Sequence, residues 1–521
     1  MKQLTPTSIV APGFFGLNTQ ESSVTLSSNY ALTADNCIID QYGRMGARKG
    51  WTMQTVDGAD ELSGQVVEGI FEHVNADNTV DILVSGNNKV LLQEDDFTLT
   101  DITPSLYTIN NNNWKASNLN DHSLLVQQDQ EPLIFTRESG SPVLHPESSH
   151  TAHGGPYTPS FGTSYPRDGI AAYGRFWVHD GETIYWSTDI ADSAFPAFSG
   201  GTSGTLNIAS VLPKNVDTIV SLAAHNDFLI IFCERNIVIY SGANNPLGDF
   251  QLHDIIDGVG CIARDSVQGT GNDLIFLSDT GIRSLGRLIQ EKSLPMRDLT
   301  KNVRDDLLKD ITQERSNSGG LSKVRAVYSE VNAFYLLSFP STETIYCLDM
   351  RQAMEDGSSR ITHWFSYKAT ALLRRRDREV MIGKVNGIGR YFGYNDDGSS
   401  YRLRYFSHYL DMGAPTTNKM LKQISATVIG GSNQSFSIKT NFDYKEAPRS
   451  YPYTIVTGDV SEYGVDEYGV AEFSVGVVLD SIKASVGGSG NTIQIGFEAD
   501  VNGSELSVQK IDMFVKTGRI S

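Results

Sequence analysis

A β-hairpin unit that recurs along residues 66–393 constrains the fold of this chain more than any other feature. Each unit has an apolar stretch, a tight turn and a second apolar stretch, and units begin about 40 to 60 residues apart. Ile82-Leu83-Val84, for example, turns at Gly86-Asn87-Asn88 into Val90-Leu91-Leu92. The other units begin at Leu124, Phe176, Phe228, Leu274, Phe334 and Val380. Since one small sheet cannot bury both of its faces alone, the repeat predicts a β-propeller.

The pattern predicts an all-β chain with three parts. Residues 1–60 are an extended N-terminal arm that packs on the platform domain, and residues 61–405 are the propeller. Residues 406–521 are predicted to form an antiparallel β-sandwich platform, because strands there alternate over longer runs and Asn502-Gly503 marks a tight hairpin. Six and seven blades are both open, because strands from the two ends of a propeller often combine in one blade.

One inserted helix is predicted near residues 296–315. Its apolar positions recur every three or four residues and form one stripe, and they are Leu299, Val303, Leu307, Leu308 and Ile311. A helix that caps the propeller surface is the simpler interpretation. The alternative is that the helix, through Leu299 and Val303, contacts another subunit or partner.

Composition limits the classes of function. The 61 acidic and 42 basic residues give a net charge of −19, which argues against a site that grips phosphates but not against a surface past which DNA slides. The four cysteines have no CxxC spacing, so we expect no disulfide framework and assembly in a reducing cytosol. No signal peptide and no apolar run of about 18 residues is present, so we expect no membrane insertion.

No motif predicts catalysis, a metal site or a cofactor. The sequence contains no P-loop, no HExxH and no nucleophile elbow. The nearest match to the Asp-box of sugar-cleaving propellers, residues 178–186, lacks its serine and its Asp–Gly spacing. An interaction platform without enzymatic activity is therefore expected.

Two charged segments are candidate contact sites. A basic run lies at a turn between two predicted strands, where it is either solvated or in contact with an acidic neighbouring subunit: Arg374, Arg375, Arg376 and Arg378. Residues 450–482 contain no Lys or Arg. Their carboxylates form either an ordinary acidic loop or the lining of a pore that DNA does not stick to, and the candidates are Asp459, Glu462, Asp466, Glu467 and Glu472.

Three stretches of the sequence together indicate a known layout. The first, near the N-terminus, is Gly13-Phe14-Phe15-Gly16-Leu17-Asn18 with Gly43-Arg44-Met45-Gly46. The second is Tyr173-Gly174-Arg175-Phe176-Trp177, and the third is Lys510-Ile511-Asp512-Met513-Phe514-Val515. In this order they resemble the opening arm, the central blades and the closing strand of the tail nozzle proteins of short-tailed bacteriophages, the tail tubular protein B and packaged-DNA stabilisation families.

This resemblance implies a homo-hexameric ring that continues the DNA-ejection channel below the portal and the adaptor and helps to retain packaged DNA. The implied partners are the tail adaptor protein above, a fibre, spike or needle protein around or below, and double-stranded DNA that passes without sequence-specific binding. The implied location is the virion tail, after assembly in the host cytoplasm. Family members combine a propeller with a platform built from both termini.

Two other functions remain open from the sequence. One is a carbohydrate-binding or carbohydrate-cleaving propeller that recognises a receptor, which a converging carboxylate pair at a propeller mouth would favour. The other is a cellular propeller scaffold without a viral role, which a monomeric protein absent from virions would favour.

Overall fold

The computed structural model describes residues 5–520 apart from 23–25, 139, 148–150, 153–154, 157–160, 162–163, 192–196, 213–216, 291–297, 432, 446 and 456–478. This part of the chain contains 41 strands, β1 to β41, and is all-β with three short helices. None of the helices in the described ranges is long and apolar enough to cross a membrane. The strands form a propeller and a two-sheet sandwich.

The N-terminal segment contributes six strands and one helical turn before the propeller proper begins. The strands β1 to β6 are Thr5–Val10, Gly16–Leu17, Tyr30–Asp35, Cys37–Ile39, Met45–Ala47 and Trp51–Met53. Helix α1, Ala59–Leu62, follows them.

Seven antiparallel sheets of the described chain follow as blades. Blades 1 and 2 are β7–β10 (Gly69–Val74, Val80–Gly86, Lys89–Gln93, Leu99–Asp101) and β11–β14 (Lys115–Leu119, His122–Gln127, Gln130–Glu138, Ser141–Pro146). A small insertion pair, β15 and β16 (Thr151–Ala152, Gly155–Pro156), precedes blade 3. Blades 3 and 4 are β17–β20 (Asp168–Ala172, Arg175–His179, Thr183–Trp186, Gly204–Asn207) and β21–β24 (Ile219–His225, Phe228–Cys233, Asn236–Ser241, Gln251–Asp257).

Blade 5 has three strands, β25–β27 (Gln268–Gly269, Leu274–Ser278, Gly281–Ser284), and leads into helix α2, Leu285–Gln290, and helix α3, Arg304–Ser316. Blade 6 is β28–β31 (Arg325–Ser329, Phe334–Phe339, Thr344–Asp349, Arg360–Trp364). Blade 7 contains β32–β34 (Leu372–Arg374, Val380–Lys384, Gly387–Tyr391). The first strands of neighbouring blades contact one another around a common axis, and β32 returns to β7, so the ring is closed.

Short polar turns make these hairpins tight. Asn87-Asn88, Asn120-Asp121 and Asn226-Asp227 each join two strands, and all six residues have φ between 48° and 66°. Two-residue hairpins of type I′ need positive φ at both central positions, and Asn and Asp tolerate this conformation best among residues with a side chain. The turn that the sequence predicts at Asn87-Asn88 is therefore a local consequence of residue type.

The propeller is closed by a strand from the N-terminal segment. Strand β6 is the outermost strand of blade 7, where Trp51 pairs with Tyr391 and Met53 pairs with Gly389. The predicted boundary at residue 60 therefore needs correction, because Trp51–Met53 belongs to the propeller rather than to an arm on the platform. A free edge on β34 would expose unpaired backbone groups, and β6 removes that edge.

The sandwich uses strands from both ends of the chain. Its C-terminal strands, β35 to β41, are Tyr401–Ser407, Thr417–Gly430, Ser435–Phe442, Arg449–Thr454, Leu479–Gly490, Ile493–Val501 and Leu506–Ile520. The first sandwich sheet has the order β39-β36-β41-β5-β4, with β1 also paired to β41. The second has the order β2-β3-β35-β40-β37-β38. Their inner faces share one core, to which Ile424 and Met513 contribute from the first sheet and Tyr405 and Phe497 from the second.

The sandwich and the propeller share a sheet. The outermost strand of blade 6, β31, pairs in parallel with β2 and continues blade 6 into the second sandwich sheet. At the contact, Gly16 has φ +79°, and a Cβ there would lie 2.4 Å from the carbonyl oxygen of Ile361. Only glycine permits this approach. The continuous hydrogen-bonded sheet fixes the sandwich on one side of the propeller.

The inserted helix is shorter than the sequence predicts. Lys301–Val303 is a 3-10 turn, and α3 begins at Arg304, because Val303 has a non-helical φ of −132°. Leu307 and Ile311 of the predicted stripe are buried on α3, as are Leu299 and Val303 ahead of it. The stripe thus fills this chain's own core.

A buried cation anchors the N-terminal segment at the junction. Arg48 is 0% exposed and forms two hydrogen bonds with Asp396, Nη1–Oδ1 at 2.8 Å and Nη2–Oδ2 at 2.7 Å. Its guanidinium lies 4.0 Å from the ring centroid of Tyr401 and 4.5 Å from that of Tyr367. Bidentate carboxylate pairing and stacking on aromatic rings both need the planar guanidinium of arginine.

A second buried cation beside Arg48 makes stability depend on pH. Lys384 is 6% exposed, donates to the carbonyl oxygen of Tyr367 and lies 4.0 Å from the Trp51 ring centroid. Burial lowers the pKa of Lys384 to about 7, although Asp396 opposes the shift. The unfolded chain therefore binds an extra proton between about pH 7 and the ordinary lysine pKa of about 10.4, so this group opposes folding less as the pH rises through that range.

We expect Lys384→Met to remove this dependence, because methionine keeps the length of the side chain without its charge. Relative to the wild type, the variant should be more stable at pH 7, and the difference should shrink by up to about 1.4 kcal/mol per pH unit toward pH 9.5. Thermal unfolding midpoints of both proteins between pH 6 and pH 9.5 measure it. Parallel curves would show that Lys384 does not titrate in this range.

Candidate functional site in the axial pocket

The first strands of five blades enclose a pocket at the propeller axis. The pocket has a volume of about 280 Å³. Its walls come from β7 of blade 1, β11 of blade 2, the approach to blade 5, β28 of blade 6 and β32 of blade 7. The side chains that give it charge and hydrogen-bonding groups are Glu72, Lys115, Asp265, Gln268, Arg325 and Arg374.

An ion cluster centred on Asp265 forms one wall of the pocket. Asp265 lies in the 3-10 turn Arg264–Ser266 that leads into blade 5. Its carboxylate oxygens lie 2.9 Å from Nη2 of Arg264, 3.1 Å from Nη1 of Arg325 and 3.2 Å from Nζ of Lys115. Burial alone would raise the pKa of Asp265, but the three cations hold that pKa well below its ordinary range. The Asp265 carboxylate is thus ionised and forms an ion pair with each of the three cations.

The two arginines of this cluster connect blades that are distant in sequence. Arg264 of blade 5 donates to the carbonyl oxygen of Arg167 ahead of blade 3 at 3.0 Å and to Oδ1 of Asn113 ahead of blade 2 at 2.9 Å. Arg325 of blade 6 donates to the carbonyl oxygen of Glu68 ahead of blade 1 at 3.0 Å. The cluster therefore joins blades 1, 2, 3, 5 and 6 across the axis.

A second carboxylate, that of Glu72 on β7, lines another part of the pocket wall. Glu72 accepts hydrogen bonds from the backbone N–H of Arg376, at 3.1 and 2.8 Å. Burial raises the pKa of Glu72 against the opposing effect of this hydrogen bond and of Arg375. The indole N–H of Trp114, in the wall beside Lys115, has no hydrogen-bond partner within the described ranges. The pocket is thus lined by both anionic and cationic side chains.

The predicted basic run lies beside this pocket. Arg374 ends β32 and its Nη1 lies 2.7 Å from Oε1 of Glu330, while Nε of Arg378 lies 3.6 Å from Oε2 of the same residue. Arg375 pairs with Asp377 at 3.0 Å. Three of the four arginines thus have carboxylate partners in their own chain. A contact with another subunit through this run stays a prediction.

Of the other predicted site residues, only Leu299 and Val303 are among those that the structure describes. Leu299 and Val303 are 2% and 0% exposed in the chain's own core, so in this fold their side chains do not reach a partner, which corrects that interface prediction. The acidic pore-lining candidates, Asp459, Glu462, Asp466, Glu467 and Glu472, lie outside the described residues. Among the residues that are described, no group of three His, Cys, Asp or Glu side chains has the arrangement of a metal site.

Sequence reasoning missed the charged residues of the axial cluster. Lys115, Arg264, Asp265 and Arg325 are spread over more than 200 positions, and only closure of the ring brings them together. The adjacent pair Arg264-Asp265 just ahead of a predicted apolar strand is the one local signal.

Comparisons with known proteins do not identify a family. No family model and no curated protein matches the sequence. A structure of YCF48 bound to a D1 peptide has 11% identity and a TM-score of 0.36, over 69% of this chain and 97% of that one. The Cps50 (Swd1) β-propeller domain of Myceliophteria thermophila has 9% identity and a TM-score of 0.38, over 66% of this chain and 98% of that one. The Pan2 WD40 domain of Neurospora crassa has 8% identity and a TM-score of 0.38, over 66% and 95%.

TM-scores at this level carry no argument about function. The chain is a β-propeller with an added sandwich, and that assignment depends on the strand pairings of its own seven blades and two sandwich sheets. Propellers support many unrelated functions, so function has to be argued from particular surfaces.

Proposed function

We propose that this chain is a structural component of a phage virion tail, the nozzle ring that extends the DNA-ejection channel below portal and adaptor and helps to retain packaged DNA. The observation that carries the proposal is the construction of the sandwich from both chain ends, with β1 and β5 paired to β41, beside a propeller closed by β6. This is the layout that the resemblance of the arm, the blades and the closing strand implies. The role needs no catalysis and no cofactor.

The shape of the axial pocket limits where DNA would pass. A cavity of about 280 Å³ that is crossed by ion pairs does not admit a duplex, whose major groove alone is about 12 Å wide. In a hexamer the channel would therefore lie between copies and not along the axis of one propeller. Each copy has a charge of −19, and such a ring would favour passage of DNA over binding to it.

The same pocket is the observation that favours a second candidate, a propeller that binds a carbohydrate receptor. The wall contains the carboxylate of Glu72 and the amide of Gln268, which are groups that can bind sugar hydroxyls. Cleavage is less well supported than binding, because Asp265 is held in three ion pairs and glycoside hydrolysis uses two carboxylates.

Immunogold electron microscopy of phage particles from the lysate that contains this protein tests the proposal. With antibody against the full chain, we expect label at the distal end of a short tail. An amber mutation in the coding sequence should give particles that package DNA and then lose it, and restored expression from a plasmid should prevent the loss. The matched control is antibody preadsorbed with the purified chain.

Each alternative result has its own meaning. Label on peripheral fibres would favour the receptor-binding candidate. Absence of label together with full DNA retention by the amber particles would overturn the nozzle proposal and favour a cellular scaffold.

A further inference from the structure

The outer face of the first sandwich sheet is basic, although the whole chain is acidic. Alternation along β36, β39 and β41 directs apolar residues such as Ile424 and Met513 inward. A set of lysines lies on the outer side of these strands, here named the lysine face: Lys422, Lys483, Lys510 and Lys516. Lys510 pairs with Asp512 at 2.9 Å. Within the described ranges the other three have no ion-pair partner, and all three are exposed.

The lysine face also contains apolar surface. Val10 pairs in register with Lys510 and is 41% exposed, and Met420 pairs with Lys516 and is 40% exposed. Apolar contact is necessary for a stable interface, because exposed ion pairs contribute only about 0–1 kcal/mol each. This sheet face offers both kinds of contact.

The outer face of the second sandwich sheet contains an acidic groove of about 360 Å³ between that sheet and α3. Leu403 and Tyr405 of β35 point inward, so Arg404 and its partner Asp35 across the strands lie on the outer side. Asp306 and Asp310 of α3 form the other wall. Asp306 accepts a hydrogen bond from the Thr19 hydroxyl at 2.6 Å and Asp310 one from the Tyr346 hydroxyl at 2.7 Å, but neither has an ion-pair partner in the described chain.

Three carboxylates and two cations line the groove, and the cations are Arg404, which pairs with Asp35 at 2.7 Å, and Lys309 of α3, which forms no ion pair in the described chain. His363 lines the groove, is 9% exposed, and its Nε2 has no hydrogen-bond partner among the described residues. Burial lowers the pKa of His363 to about 4, so the ring is neutral at pH 7, and one nitrogen of a neutral imidazole accepts a hydrogen bond. Burial, together with Asp306 and Glu314, raises the pKa of Asp310 against the opposing effects of the Tyr346 hydrogen bond and of Lys309. An ammonium group in the groove would stabilise both the Asp310 carboxylate and the neutral His363 ring.

We propose that the acidic groove of one copy of this chain receives the lysine face of a second copy. Both halves of the complementary pair belong to one chain and lie on opposite outer faces of one sandwich. A contact between two different patches is heterologous, so it leaves one patch free on each end and repeats until a ring closes. Closure into a ring rests on the proposed function; the contact between two copies does not.

Charge reversal in the purified full chain tests the contact. We expect the wild type to self-associate in sedimentation velocity experiments, and Lys483→Glu with Lys516→Glu to weaken association by at least about tenfold. Asp306→Lys should have the same effect. An equimolar mixture of the two variants should associate again, because each supplies a native surface that the other has lost. Added salt should weaken the wild-type complex, because it screens exposed charges.

Arg235→Glu is the control, since it reverses an exposed positive charge between β22 and β23 of the propeller, which lies on neither face. This control should associate like the wild type. A wild type that stays monomeric, variants that associate normally, or a mixture that fails to recover would each overturn the proposed contact. If such a chain is still found at the distal end of phage tails, the proposed function stands and only the contact is wrong.

Discussion

Asp265→Asn is expected to lower the free energy of unfolding of the propeller by about 3–5 kcal/mol, because it leaves buried cations without their anion. Asparagine keeps the volume of the side chain and one acceptor oxygen. It cannot balance Arg264 and Arg325, which are both nearly buried and hold several blades together. Chemical denaturation at pH 7 measures the change. Asp377→Asn is the control, because its partner Arg375 is near the surface and exposed pairs contribute about 0–1 kcal/mol.

The stability of Asp265→Asn should also change differently from that of the wild type as the pH falls. The pKa of Asp265 is held well below its ordinary value of about 3.9, so its stabilisation is complete above about pH 4 and is lost as the pH falls toward the folded-state pKa. The difference between the wild type and Asp265→Asn should therefore be constant from pH 5 to pH 7 and shrink below pH 4. A difference below about 1 kcal/mol at pH 7 would show that the cluster does not hold the blades.

Local residue patterns were enough to predict the blades. Asn87-Asn88 and the apolar strands beside it specify a hairpin through φ preference and alternation, and the structure has that hairpin. The same reasoning at Phe334 and Val380 predicts strands of blades 6 and 7. These features depend on neighbours in sequence, which is why a sequence reveals them.

Features that depend on distant pairing were not predictable in the same way. Trp51–Met53 is only three residues long, and its place in blade 7 is decided by the free edge of β34 more than 300 positions away. Gly16 meets Ile361 through a two-residue parallel strand that has no pattern of its own. The axial cluster is the extreme case, because Lys115, Asp265 and Arg325 share no motif and meet only after the ring has closed.

Arg48→Met is the second substitution with a large expected effect, again about 3–5 kcal/mol, because it leaves Asp396 without its cation at the junction of propeller and sandwich. Much of this loss is the cost of an unpaired, largely buried carboxylate. Arg48→Met combined with Asp396→Asn should therefore be clearly less destabilised than the sum of the two single variants. Additive losses would show that the pair does not interact. Arg402→Met is the control, since its pair with Asp500 is exposed.

The part of the structure that opens first should distinguish Arg48→Met from Asp265→Asn. Arg48 lies three positions before β6. Its guanidinium packs against the ring of Tyr401, and the Tyr401 hydroxyl donates a hydrogen bond to the Arg48 carbonyl oxygen. Loss of the guanidinium should therefore release β6 first, and amide hydrogen exchange should accelerate in β6 and β34 before it changes in blade 3. Uniform acceleration in all blades would mean that the ring opens as one unit. Protection of β6 equal to that of the wild type would show that the pairing with β34 alone closes the propeller.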